Sequence, residues 1–151
     1  VFAFINKNCN SKIPSCNKLE EDDKKLNNQI TESLSELRNL MDNQELNQYL
    51  KKVINVSFDA NKYFNDQKPW SLKEKNPERM NTILYVILNQ IRSISVLLNP
   101  IIPKATEKVL STLSVGKTDI NIDSLKDTKI LKVGTILKKS DILFKKIEND
   151  N

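Results

Sequence analysis

The chain of 151 residues contains no histidine, and only two glycines, two cysteines and one tryptophan. Without imidazole the commonest acid or base at neutral pH is missing, and so are the serine and cysteine nucleophiles that depend on it. Scarce glycine excludes a phosphate-cradling loop and leaves few positions for hairpin turns. Cys9 and Cys16 have no C-x-x-C or other ligand spacing, so they read as reduced thiols of a cytosolic protein, not as a zinc site or a staple. No apolar run is expected to approach a membrane span, and the opening Val-Phe-Ala-Phe-Ile-Asn is too short for a signal peptide. A start on apolar residues without methionine suggests a piece of something longer. At this length a single domain, residues 1–151, can bury roughly 70% of its unfolded surface without disulfides or metal.

What the chain has is charge and helical periodicity. The net charge is +5. Residues 20–36 hold Glu20, Glu21, Asp22, Asp23, Glu32 and Glu36 against Lys24 and Lys25, so one segment stands at −4 and the remainder at +9. A polyanion partner is permitted, although a solvated lysine-rich surface is the commoner meaning of a modest positive charge. The carboxylates at 20–23 fall in a first helical turn, where capping and the helix dipole already account for them.

Apolar spacing and end signals predict an all-α bundle of about five helices over residues 1–116, with an irregular tail at 117–151. The first helix runs to about Asn10. The second has Asn17 as N-cap with Glu20 closing a capping box, and its stripe is Leu26, Ile30, Leu34, Leu37 and Met41. Asp42 and Glu45 repeat the box spacing for a third helix, antiparallel to the second. That helix places Leu46, Leu50, Val53, Ser57, Ala60 and Phe64 on one face and ends near Asp66. The fourth starts with Asn76 as N-cap and Pro77 at N1, then carries Met80, Ile83, Leu84, Ile87, Ile91, Ile94 and Leu98 as the central helix. Pro103 opens the fifth, with Val109, Leu110 and Leu113, and Gly116 ends it. The tail is expected to pack on the bundle through Leu143, Phe144 and Ile147.

The loop after the third helix is the candidate site. In "NDQKPWSLKEKNPER" the single indole, Trp70, follows a backbone-fixing Pro69 and lies among Lys62, Lys68, Lys73, Lys75 and Arg79. An aromatic beside cations can stack a nucleobase while the lysines hold phosphates, worth about 1–3 kcal/mol per base. From local chemistry alone a lid folded back on the bundle is favoured, because large aromatics are mostly buried. Asn61 and Tyr63 flank the loop, as RNA contacts or as hydrogen bonds that fix it. On the central helix Asn89 and Arg92 interrupt the apolar run, and Arg92 reads as a solvated or ion-paired flank. Lys138, Lys139, Lys145 and Lys146 could extend a basic surface.

Read from "FDANKYFNDQKPWSLK" (Phe58 to Lys73) through "ERMNTILYVILNQIRSISVLLNPIIPKATEKVLSTL" (Glu78 to Leu113) to "LFKKIE" (Leu143 to Glu148), the chain resembles the anticodon-binding domain of methionyl-tRNA synthetases. "FINKN" at Phe4 to Asn8 is similar to the continuation of that domain's first helix. The specific part is Ala60, Asn61, Tyr63, Pro69 and Trp70; the "LNPIIPKATEKV" stretch is shared with other class I synthetases. The resemblance implies a bundle docking on the anticodon stem-loop of tRNA(Met), with Trp70 stacked on the cytosine of CAU. Pro69, Asn61, Lys68 and Lys73 are the further candidate contacts. It implies no catalytic residue or cofactor here; ATP, with zinc as a further candidate, would belong to a catalytic domain of the same chain. The family's Asn and Arg anticodon readers would lie upstream of Val1. The alternatives are the anticodon domain of another class I synthetase, or a helical protein-interaction module anchored by Trp70.

Overall fold

In the computed structural model, residues 1–139, 143 and 144 are described. They form five α-helices and three short 3-10 turns, with no strand among the described residues beyond one isolated antiparallel bridge, Lys12 to Ile136. The expected all-α architecture is present.

Helix α1 (Phe2–Asn8) stops short of Asn10, because Asn10 and Ser11 take left-handed φ values of 50° and 56° and turn the chain. Its Ile5 is fully buried with Ile13, Leu84 and Leu88. Helix α2 (Glu21–Asp42) starts later than the Asn17 signal indicates. The Asn17 amide is instead committed to Thr82 Oγ1 at 3.2 Å, and the cap moves three residues on, where Asp23 Oδ2 accepts the Glu20 amide at 2.8 Å. Its stripe is Leu26, Ile30, Leu34, Leu37 and then Leu40; Met41 is only half-buried.

Helix α3 (Leu46–Gln67) has Glu45, not Asp42, at its N-cap. Asp42 is still the last residue of α2, and Gln44 at φ 61° lets the Glu45 amide reach back to Leu40 O at 2.8 Å. The short turn makes α2 and α3 antiparallel neighbours, as expected. The buried face is rotated from the expected one: Tyr49, Val53, Val56, Ala60 and Tyr63 face inward, Leu50, Ser57 and Phe64 sit at its edge, and Leu46 is exposed. Two tyrosines cause the rotation. Their rings fill the core and their hydroxyls find acceptors, Tyr49 at Leu97 O (2.6 Å) and Tyr63 at Asp23 Oδ1 (2.5 Å).

Helix α4 (Pro77–Leu98) packs against α2, α3 and α5 and is the bundle's centre. Asn76 Oδ1 accepts the Arg79 amide at 3.1 Å and Pro77 occupies N1, both as expected. One expectation fails here: by length and composition α4 is apolar enough to cross a membrane, yet 78% of that stretch is buried inside the bundle. Arg92 also differs from its expected place on a solvated flank, being 0% exposed and donating to Ser124 O (3.3 Å) and Asp127 O (2.8 Å). Burial lowers its pKa, partly offset by the nearby Asp127.

Helix α5 (Pro103–Thr112) ends before Gly116. Ser114 at φ 58° takes the left-handed position, and the Val115 amide closes on Leu110 O at 3.0 Å. The tail does pack on the bundle, but through Leu125, Leu131 and Leu137, which are 2%, 3% and 6% exposed. Leu143 and Phe144 are not in the buried core, at 38% and 68% exposed, while Ile147 lies outside the described residues. Tyr85 OH donates to Leu131 O at 2.9 Å, and Ile13 exchanges backbone bonds with Thr135 and Gly134 at 2.9 and 2.8 Å. Gly134 has φ 81°, which a side chain would strain.

Candidate nucleic-acid interface

The loop between α3 and α4 is fixed in place by its backbone. Lys68 ends α3 in a left-handed conformation, φ 45°, unusual for a residue with a side chain. Pro69 follows, buried, and starts a one-turn 3-10 helix Pro69–Ser71. The Ser71 amide and hydroxyl both donate to Lys68 O (2.9 and 2.8 Å), and the Leu72 amide to Pro69 O (3.1 Å). Asn76 N donates to Leu72 O at 2.8 Å, joining the turn to α4.

Trp70 is neither buried nor loose. The residue is 49% exposed, and its ring meets Phe64 of α3 edge to face, centroids 5.8 Å apart at 70°. Lys68, Lys73, Lys75 and Asn61 are exposed; no side-chain hydrogen bond of Asn61 is found among the described residues. Lys62 is tied to Asp66 (2.9 Å), which raises its pKa through that hydrogen bond and charge, and weakens its claim as a phosphate ligand.

Two residues expected near a ligand are structural. Tyr63 is buried on Asp23, and burial first, then that carboxylate, pushes its phenol far up. Arg79 is not one of the cations offered to a ligand. Its side chain is 10% exposed and forks onto Asp23, with Nη2 at 2.9 Å from Oδ1 and Nη1 on Oδ2, and it also donates to Gln67 Oε1 at 2.7 Å. Asp23 is 0% exposed. Its burial favours the neutral form, but the bonds from Arg79, Tyr63 and the Glu20 amide outweigh that and hold its carboxyl below the usual range. No sequence signal marked this cluster, because the carboxylates at 20–23 already had an explanation as the first turn of a helix.

A groove of about 750 Å3 opens between α2 and α3, lined by Asp22, Glu32, Asp59 and Asp66 with Lys25 and Lys62 among them. Its carboxylates outnumber its lysines, an environment that disfavours a phosphate. Lys138 and Lys139 are exposed, and Lys145 and Lys146 lie outside the described residues. Among the described residues no three His, Cys, Asp or Glu are grouped to hold a metal ion, and both cysteines are free and half-buried.

An all-helical bundle that displays one braced indole beside exposed lysines belongs to the class of binding modules. The family follows from comparison: residues 13–151 match the anticodon binding domain of methionyl tRNA ligase, and the chain belongs to that family. It is 37% identical over 113 residues to the methionine–tRNA ligase of Brucella suis, covering 75% of this chain and 22% of that protein. Similarity to the enzyme of Thermotoga maritima is 34% over 149 residues, 98% of this chain and 24% of the relative. The fold superposes on methionyl-tRNA synthetase of Mycobacterium tuberculosis bound by methionyl-adenylate with a TM-score of 0.88, at 25% identity over 95% of this chain and 29% of that one. The chain thus spans about a quarter of the length of these relatives.

Proposed function

We propose that this chain recognises the anticodon stem-loop of tRNA(Met), as the tRNA-reading part of a longer cytoplasmic methionine–tRNA ligase that activates methionine with ATP. Trp70 stacks on the CAU cytosine, Pro69 sets its place, Lys68 and Lys73 hold flanking phosphates, and Asn61 contributes a polar contact. The fragment's share of catalysis is positional, since anticodon contacts hold the acceptor end in register for a distant site on the catalytic domain. The observation that carries this reading is an indole half exposed yet braced by Phe64, on a loop whose Lys68, Lys73 and Lys75 are exposed. Stacking contributes about 1–3 kcal/mol.

The test is Trp70→Ala in the full-length chain, with affinity for tRNA(Met) measured against a tRNA whose anticodon cytosine is replaced. Loss of roughly tenfold or more for CAU, with little change for the substituted tRNA, supports the assignment; equal binding by mutant and wild type overturns it. A second reading, a protein-interaction module, is favoured by Leu46, Ile54 and Phe58, which are exposed on α3. Salt separates the two, because RNA binding weakens steeply with ionic strength and apolar docking does not.

A further inference from the structure

The Trp70 loop has two flanks, the end of α3 and the start of α4, and one buried carboxylate on α2 ties them together. Asp23 accepts from Tyr63 of α3 and from Arg79 of α4, and Arg79 in turn holds Gln67, the last residue of α3. Phe64, the neighbour of Tyr63, carries the edge of the indole; Lys68, the neighbour of Gln67, starts the loop in its left-handed turn. At the far side the Arg79 amide caps onto Asn76, so one residue closes the loop and also bears the ion pair.

The cluster is expensive by position. Arg79 puts a cation in the first turn of α4, at the positive end of its dipole, and Asp23 is a charge wholly removed from water. Packing alone needs neither, since apolar residues fill such space at no smaller stability. What a forked guanidinium on a carboxylate adds is direction, because two parallel bonds fix an angle that apolar contact leaves free. We infer that Asp23, Arg79, Tyr63 and Gln67 are positioning residues that hold Trp70 in its base-stacking pose without touching RNA. The inference rests on the proposed role of Trp70.

A double-mutant cycle in the full-length chain tests it, using tRNA bearing CAU as the probe, at a temperature where circular dichroism shows every variant folded. Arg79→Lys keeps the charge but loses the fork, and Tyr63→Phe removes one hydroxyl. Each is expected to weaken binding about fivefold. In the Trp70→Ala background each is expected to add less than about twofold, because the residue being positioned is gone. The salt slope stays that of wild type, as no phosphate contact is lost. Wild-type affinity in folded Arg79→Lys and Tyr63→Phe, full additivity with Trp70→Ala, or a salt slope reduced by about one overturns the inference. Should Arg79→Lys not fold, the Tyr63→Phe cycle alone decides. If Trp70→Ala binds as wild type, the proposed function falls and this inference with it; a deficit in Trp70→Ala with none in the other two removes the inference only.

Discussion

Replacing Asp23 by alanine should cost more stability than any other single polar substitution near the loop. The carboxylate accepts from Arg79, Tyr63 and the Glu20 amide, and the first two of these donors have little water at hand, because Tyr63 and Asp23 are buried and Arg79 retains only 10% of its side-chain surface. Removing one partner of a buried ion pair costs about 3–5 kcal/mol, since the other charge stays behind unpaired. Glu20, whose carboxylate lies 3.4 Å from Arg79 and is 60% exposed, takes up part of the charge and moves the expectation to the lower end, about 3 kcal/mol. For a domain of this size that is a fall in Tm of roughly 6–12 °C, read by circular dichroism at pH 7. The pH dependence fixes the cause. The Asp23 carboxyl is held below its ordinary value, so its contribution is complete above the unfolded value near about 3.9 and is lost as pH falls through the lower folded value. The gap between wild type and mutant should therefore close in acid below about pH 4. The double variant Asp23→Ala/Arg79→Met should recover part of the loss, because no unpaired charge remains. A mutant melting within about 2 °C of wild type at pH 7, or a double variant no more stable than the single, would refute the reasoning.

Alkaline stability should fall above about pH 10, because burial raises the phenol pKa of Tyr49, Tyr63 and Tyr85, and that stability, complete below the unfolded value, is lost as pH rises toward the folded ones. Tyr63→Phe should flatten that decline in a pH-jump melt series. Leu84→Ala, at a fully buried position on α4, should cost about 2–5 kcal/mol in urea titration, whereas Phe58→Ser, 65% exposed on α3, should stay within about 0.5 kcal/mol. Ser114→Gly should raise Tm, gaining about 0.5–1 kcal/mol, because φ 58° after α5 is a left-handed position that glycine occupies without strain.

Helix number, order and the α4 cap were legible because each rests on a local signal: Asn76 before Pro77, and apolar residues recurring at helical spacing. Register was less legible where two signals of the same spacing overlapped and the stronger one, Asn at the cap, was not the one used. Asn17 with Glu20 and Glu20 with Asp23 share one spacing, and only the commitment of the Asn17 amide to Thr82, sixty-five residues away, chooses between them. The α3 face was misplaced for a related reason. Tyrosine is ambiguous in an apolar pattern, and Tyr49 and Tyr63 become core only because Leu97 and Asp23 offer acceptors from other helices. Arg92 is the extreme case, a cation made tolerable by two backbone carbonyls of the tail. Spacing along one helix carries no information about such partners.

The loop itself shows why a displayed aromatic was distinguishable from a lid only in three dimensions. Both readings put Trp70 beside Pro69, and both are compatible with neighbouring lysines. What separates them is where the holding contacts end. Backbone bonds fix Lys68 to Leu72, Pro69 is buried, and Phe64 meets the indole edge to face, yet Trp70 remains 49% exposed. A free indole on a mobile loop would surrender side-chain and loop entropy on stacking, typically about 0.5–1.5 kcal/mol per ordered side chain. Folding, under the inferred positioning role, has already met that cost through the left-handed Lys68 and the buried Asp23 cluster. Under the proposed role, the stability spent on a buried ion pair returns as affinity at a residue that the pair never touches.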